Sequence, residues 1–238
     1  MPANGMMKLP ELPRQPRMTS QQYAYARLRH SLMIGAIEPG RAITIRGLSE
    51  ALDLSPTPVR EALRRLSSEH AVTVLENRRI MVPEMHSRRF EELVALRCTL
   101  ECHAGERAIP YISDALIEDL DRIDARINQA LADRDHEMQI MLNQRFHAGI
   151  YSANPEQLVM PMVESLWLQL GPFQRVAAQY VADDYLIDRH QEILDALRKR
   201  DPIALAMAIE ADVRDGVGRL GREAIRKILK NDLIERSV

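Results

Sequence analysis

The chain has 238 residues, a formal net charge of only −2 and a mean hydropathy of −0.26. That length holds one large domain or two small ones. Two cysteines, Cys98 and Cys102, exclude a disulfide framework and fit a reduced, cytoplasmic setting, and no apolar run reaches the length that crosses a bilayer.

The small net charge hides an asymmetry. Residues 1–90 carry 14 Lys and Arg against 8 Asp and Glu, whereas residues 91–238 carry 18 against 26. A basic small part and an acidic larger part suggest that the first meets a polyanion and the second does something else. The opening stretch MPANGMMKLPELPRQPRM holds four prolines and no apolar core. Residues 1–19 therefore read as a disordered arm, not a signal peptide.

The first helix is predicted from about Ser20 to Ile34, with Tyr23, Ala26, Leu28 and Leu32 among its buried candidates. Gly35, Pro39 and Gly40 in GAIEPGRAI mark a turn. A short helix follows, about Arg46 to Leu52, with Ile45, Leu48 and Leu52 on one side. Asp53-Leu54 makes a tight connection to DLSPTPVREALRRL, where Val59, Ala62, Leu63 and Leu66 fall at i, i+3, i+4 and i+7. The opposite face carries Arg60, Arg64 and Arg65. Ser55 is the N-cap, and Pro56 and Pro58 occupy the first turn, so this helix starts sharply and ends near His70. Val72, Val74, Ile80 and Val82 flank ENRR and read as a two-stranded hairpin with a basic tip, closed by Pro83. Helix, short helix, tight turn, basic helix and hairpin make a winged helix-turn-helix over residues 20–83.

From Ser87 onward the pattern is helical. Six segments are predicted, roughly 87–109, 113–133, 136–152, 155–179, 183–199 and 201–236, with a kink or break in the last at Gly216, Gly218 and Gly221. The expected fold is mainly α: a winged helix-turn-helix followed by an antiparallel six-helix bundle over residues 87–238, with room for a central ligand cavity. Cys98 and Cys102, one turn apart, read as packed thiols or as part of a metal site.

The stretch GAIEPGRAI…LSEALDLSPTPVREALRRLSSE closely resembles the N-terminal domain of GntR-superfamily bacterial transcription regulators. LRCTLE (Leu96–Glu101), NQRFH (Asn143–His147) and RHQEILDALRKRD (Arg189–Asp201) resemble the ligand-binding FCD domain of the FadR-type branch. The likeness spans nearly everything after residue 20. It implies an effector-controlled DNA-binding regulator, a repressor by default and not an enzyme, acting as a homodimer on double-stranded operator DNA.

A recognition helix meets base edges with its N-terminal residues. Here that face presents Ser55, Pro56, Thr57, Arg60 and Arg64. Arginine pairs bidentately with guanine. The resemblance places DNA contacts on Arg46, Arg60 and the wing tip. Two positions depart from the family: Pro56 stands where many members carry arginine, and the tip is NRR where many carry glycine. Arg78 and Arg79 then either enter a narrow minor groove as side chains or attract phosphate.

In the acidic part, family members place an aspartate and three histidines and bind a divalent metal. The matching positions are Asn143, His147, His190 and Asp212, so one carboxylate is lost and one gained. Two imidazoles and a carboxylate suit Zn, Ni or Mn, whereas an asparagine carbonyl is a weak neutral ligand. Aspartate is shorter than histidine, which puts the reach of Asp212 in question. Arg97 precedes Glu101 by one turn and reads either as half of a surface pair or, by the resemblance, as the partner of an effector carboxylate. Arg145 and Arg175 are further candidates for that role, and Trp167 and Phe173 either line the cavity or pack the core. The alternative from another class is a helical metalloenzyme built on His147, His190 and Asp212.

Overall fold

The computed structural model describes residues 8–75, 79–180 and 189–235. The chain divides into two compact units: Met1–Met85 with Trp167–Phe173, and His86–Leu166 with Gln174–Val238.

In the first unit, α1 (Ser20–Met33) opens on a reciprocal cap. The Thr19 hydroxyl accepts from the backbone N–H of Gln22, and the Gln22 side chain accepts from that of Thr19. Leu28 and Leu32 are buried as expected, but Tyr23 and Ala26 are only half-buried, and Ala24 takes the core position between them. The segment expected as a loose arm is held from Leu9 onward. Leu9 is buried, and the buried guanidinium of Arg27 donates to the carbonyls of Leu9 and Pro10 at 3.0 Å each. A buried cation needs such acceptors, and the arm supplies them.

After the turn at Gly40 (φ 73°), β1 (Ala42–Ile43) leads into α2 (Ile45–Leu52). Asp53 ends α2 in the left-handed conformation (φ 51°), which short polar side chains tolerate. Helix α3 (Pro56–Ser68) buries Val59, Ala62, Leu63 and Leu66, the stripe read from the sequence. Ser55 takes the N-cap position but its side chain makes no capping bond. Pro58 stands at the third helical position and removes one of the two N–H groups that a cap normally accepts from. Strands β2 (Thr73–Val74) and β3 (Ile80–Met81) form the hairpin. Strand β1 adds to it, giving the order β1-β3-β2 with Ile43 opposite Ile80 and Val74 opposite Ile80. A two-residue strand has no readable periodicity, which is why β1 escapes the sequence.

The second unit contains α4 (Ser87–Ala108), α5 (Asp114–Ala132), α6 (His136–Tyr151), α8 (His190–Lys199), α9 (Pro202–Val213) and α10 (Arg219–Glu235), together with most of α7 (Met160–Tyr180). Helix α7 starts five residues later than the Pro155 boundary suggests, because Asn154 accepts from the N–H of Glu156 and holds a turn there. Helices α9 and α10 are one run interrupted by a π-helical turn at Arg214–Gly218, which holds two of the three glycines expected to break it, Gly216 and Gly218, whereas Gly221 already lies within the α-helix of α10. Helix α4 lies against α9 and α6, α5 against α6 and α8, and α8 against α9. The pairing puts α4, α5, α6, α8 and α9 around one interior. Among the described residues, no helix is long and apolar enough to cross a membrane.

Candidate functional site

Two features stand out, one in each unit. On α3, Thr57, Arg60 and Arg64 are exposed on the side opposite the buried stripe, as are Ser55 and Pro56 just before them. Arg65 belongs to the same basic face but has another task. Its guanidinium lies 3.7 Å from the Tyr25 ring centroid and 3.1 Å from the Glu69 carboxylate. Tyr25 donates to the same carboxylate, and burial together with that bond pushes its phenol up to about 12. Arg65 therefore ties α3 to α1. Arg46 on α2 projects into solvent, its side chain 91% exposed, and meets Glu50 at 3.0 Å. At the wing, the Leu75 N–H donates to the carbonyl of Arg79, and the Arg79 side chain is exposed. Arg78 lies outside the described residues.

The second feature is a buried polar cluster between α4, α5, α6, α8 and α9. His147 from α6, His190 from the start of α8 and Asp212 from the end of α9 each offer a ligand atom, all within 4.8 Å of one another. Nε2 of His147 is 3.1 Å from Oδ2 of Asp212, and Nε2 of His190 is 3.9 Å from Oδ1. Nε2 of His147 is buried and, close as it is, stands outside hydrogen-bonding geometry. The aspartate reaches both imidazoles. The backbone N–H of Arg189 donates to Asp212 at 3.0 Å, and the Arg189 guanidinium grips Asp215 in the π-helical turn at 2.8 Å. Burial would raise the Asp212 carboxyl, but the Arg189 N–H, together with His147 and His190 in their charged form, outweighs it and holds it down to about 2.

Around this centre stands an outer ring that sequence reasoning missed. Asp124 on α5 sits 2.7 Å from Nδ1 of His190 and accepts from Gln191 at 2.7 Å. Tyr151 on α6 lies 3.1 Å from Nδ1 of His147 and donates to Glu101 at 3.0 Å. Glu101 in turn receives Arg97 at 2.6 Å. A signal was available: Asp124 falls in the apolar stripe of Ile117, Leu120 and Ile127, and a carboxylate on a core face needs a partner. The Arg97–Glu101 pair forms at the expected spacing, but it is buried, with side chains 4% and 0% exposed, so the surface reading is corrected. The α4 stripe that carries both turns inward between α9 and α6. Arg145 and Arg175 are exposed on their helices. Trp167 and Phe173 are buried in the stretch that belongs with the first unit. Asn143 is half-buried one turn before His147. Cys98 is buried, and Cys102 donates its thiol to the carbonyl of Ala206. Burial raises both thiols, Cys102 to about 12 with Cys98 beside it, so they behave as inert packing groups.

The ring has a charge deficit. Three buried carboxylates, Glu101, Asp124 and Asp212, face one buried guanidinium, Arg97. With neutral imidazoles the buried groups among the described residues would carry more negative than positive charge here, a costly state in low dielectric.

Comparison with known proteins decides the family. The family described as bacterial regulatory proteins, gntR family, matches residues 20–82, and the FCD domain matches residues 92–215, more than half of the chain. The chain belongs to the GntR family and carries an FCD domain. The regulator is 32% identical to the HTH-type transcriptional regulator McbR of Escherichia coli K12 over 177 residues, 73% of this chain and 80% of that protein. It is 25% identical to the gluconate operon transcriptional repressor of Bacillus subtilis, covering 84% of this chain and 85% of that one. The solved structure of E. coli McbR/YncC superposes with a TM-score of 0.79 at 27% identity, over 86% of the regulator and 98% of that chain. The regulator is thus a DNA-binding transcription factor of the FadR-type branch, and the metalloenzyme alternative falls, because the matching families and relatives are regulators.

Proposed function

We propose that the regulator represses transcription as a homodimer, and that a small carboxylate effector, held with a divalent metal (Zn, Ni or Mn) at His147, His190 and Asp212, tunes its grip on operator DNA. The observation that carries this reading is the convergence of those three side chains in a buried region with excess negative charge. A bound divalent cation would supply two positive charges and a coordination position for the effector carboxylate. The chain's own part is to present two imidazoles and one carboxylate, all buried, with Asn143 one turn away as a neutral contact. Arg97 is engaged by Glu101, so its pull on an effector acts through the charge balance of the ring. Repression follows the names of the Bacillus gluconate operon relatives.

On the DNA side, Ser55, Thr57, Arg60 and Arg64 on the recognition helix, Arg46 beside it, and Arg78 and Arg79 at the wing make the contacts. Pro56, which has no side-chain donor, offers no hydrogen bond to DNA from its side chain. A lone helix-turn-helix covers few bases, so specificity requires two half-sites and a dimer. Effector binding shifts the population between DNA-competent and incompetent arrangements.

The test combines elemental analysis with thermal shift. Protein purified without chelators should contain a divalent metal, which His147→Ala with His190→Ala removes. Small carboxylates should raise the unfolding temperature only with metal present, and the ones that do so should weaken binding to a selected operator duplex. Metal-free wild type that ignores added Zn, Ni and Mn would sink the metal reading.

A further inference from the structure

We propose that Asp124 and Tyr151 are positioning residues that hold His190 and His147 in the Nδ1–H tautomer, so that both Nε2 lone pairs are turned on Asp212. The argument is one of donors and acceptors. Glu101, salt-bridged to Arg97, offers acceptors only, and the Tyr151 hydroxyl has a single proton. That proton goes to Glu101 at 3.0 Å, so toward Nδ1 of His147, 3.1 Å away, the phenol oxygen accepts. Nδ1 of His147 therefore carries hydrogen, so whenever the ring is neutral its Nε2 is bare. His190 follows the same logic more directly. Its Nδ1 lies 2.7 Å from Asp124, a carboxylate already receiving Gln191, and a carboxylate accepts.

The two rings thus reach one result through different helices, α5 for His190 and α4 with α6 for His147. Each Nε2 is left facing an oxygen of Asp212, at 3.1 and 3.9 Å. Three acceptors turned toward one point repel one another unless a cation lies among them. An outer carboxylate that receives the far N–H of an imidazole fixes its tautomer and raises its basicity as a ligand. This inference deepens the metal reading proposed above and rests on it for its purpose, but the tautomers themselves are a property of the metal-free chain. Phe146 packs on the His190 ring with centroids 4.3 Å apart and leaves the ring plane set as well as its protonation.

The full-length regulator labelled with ¹⁵N-histidine and stripped of metal provides the decisive measurement. Long-range ¹H–¹⁵N correlation at alkaline pH should place hydrogen on Nδ1 of both His147 and His190. Asp124→Ala should release His190 toward the Nε2–H form without moving His147, Asp124→Asn should restore Nδ1–H, and Tyr151→Phe should release His147 alone. A purely packing role for Asp124 or Tyr151 would not move one ring selectively. Wild type with hydrogen on Nε2 of either ring overturns the proposal, and so do unchanged tautomers in Asp124→Ala and Tyr151→Phe. The wild-type spectrum decides even where a variant does not fold. Cobalt(II) titration forms the second arm. Asp124→Ala should weaken cobalt binding ~10–100-fold, with recovery in Asp124→Asn. Absence of cobalt binding by wild type overturns the metal reading of the function, while the tautomers still decide the positioning roles.

Discussion

Arg60, Arg64 and Arg65 look alike on a helical wheel, yet their surroundings separate them. Arg65 spends its charge on Glu69 and on the face of Tyr25, so it is a strut between α3 and α1. Arg60 and Arg64 are exposed beyond the buried stripe of α3. Replacement should therefore have opposite signatures. Arg60→Ala should lower affinity for the operator by about 1–3 kcal/mol, roughly 5- to 150-fold, and leave the melting temperature unchanged. Arg65→Ala should keep operator affinity within about threefold and cost about 0.5–1 kcal/mol of stability through the lost ring contact. Fluorescence anisotropy and thermal unfolding on the same preparations separate the two, and unchanged operator affinity in Arg60→Ala would count against the reading of α3.

At the scale of elements, the junction of α9 and α10 matters most. An ordinary α-helix through residues 214–218 would rotate all that follows, and the π-helical turn absorbs one residue there. That turn sets Asp215 against Arg189 and so anchors the start of α8, where Arg189, the residue before His190, donates its N–H to Asp212. Beyond the turn, α10 approaches α4 closely enough that a Cβ on Gly221 would meet the Phe90 ring at 2.1 Å. A buried ring edge cannot swing aside as a flexible chain end does. Gly221→Ala should destabilise the helical unit by about 1–3 kcal/mol, the usual range for overpacking, as read by chemical denaturation. The same change at Gly105 meets only the movable end of Ile209 and should cost less.

For the whole molecule, charge and symmetry govern. The basic segment before residue 90 is set against an acidic remainder, so duplex DNA is attracted to one part of the chain and repelled by the other. Under the dimer proposal, a palindromic duplex with half-sites one or more helical turns apart, about 34–36 Å each, should bind tightly and in a salt-dependent manner. A duplex with one half-site should fall toward the non-specific range, roughly 10⁻⁴–10⁻⁶ M. Equal affinity for the two, measured by anisotropy across a salt series, would argue against paired half-site reading.

Local chemistry alone determined much of this protein. The i, i+3, i+4, i+7 stripe of α3, the prolines at its start, the glycines at the π-helical turn and the Asn143–His147 spacing are all short-range signals, and each appears where the periodicity puts it. The Thr19–Gln22 cap is a short-range signal of the same kind, a threonine followed three residues on by a glutamine. What the chain order could not convey is which side chains from α4, α5, α6, α8 and α9 meet. Asp124 lies 66 residues from His190, and Tyr151 lies 50 from Glu101, so their hydrogen bonds exist only once five helices have packed. The same packing turned Arg97 and Glu101 from a surface pair into a buried one and brought Asp212 within reach of both imidazoles. Periodicity fixes which face of a helix turns inward; only the packed bundle decides what that face finds there.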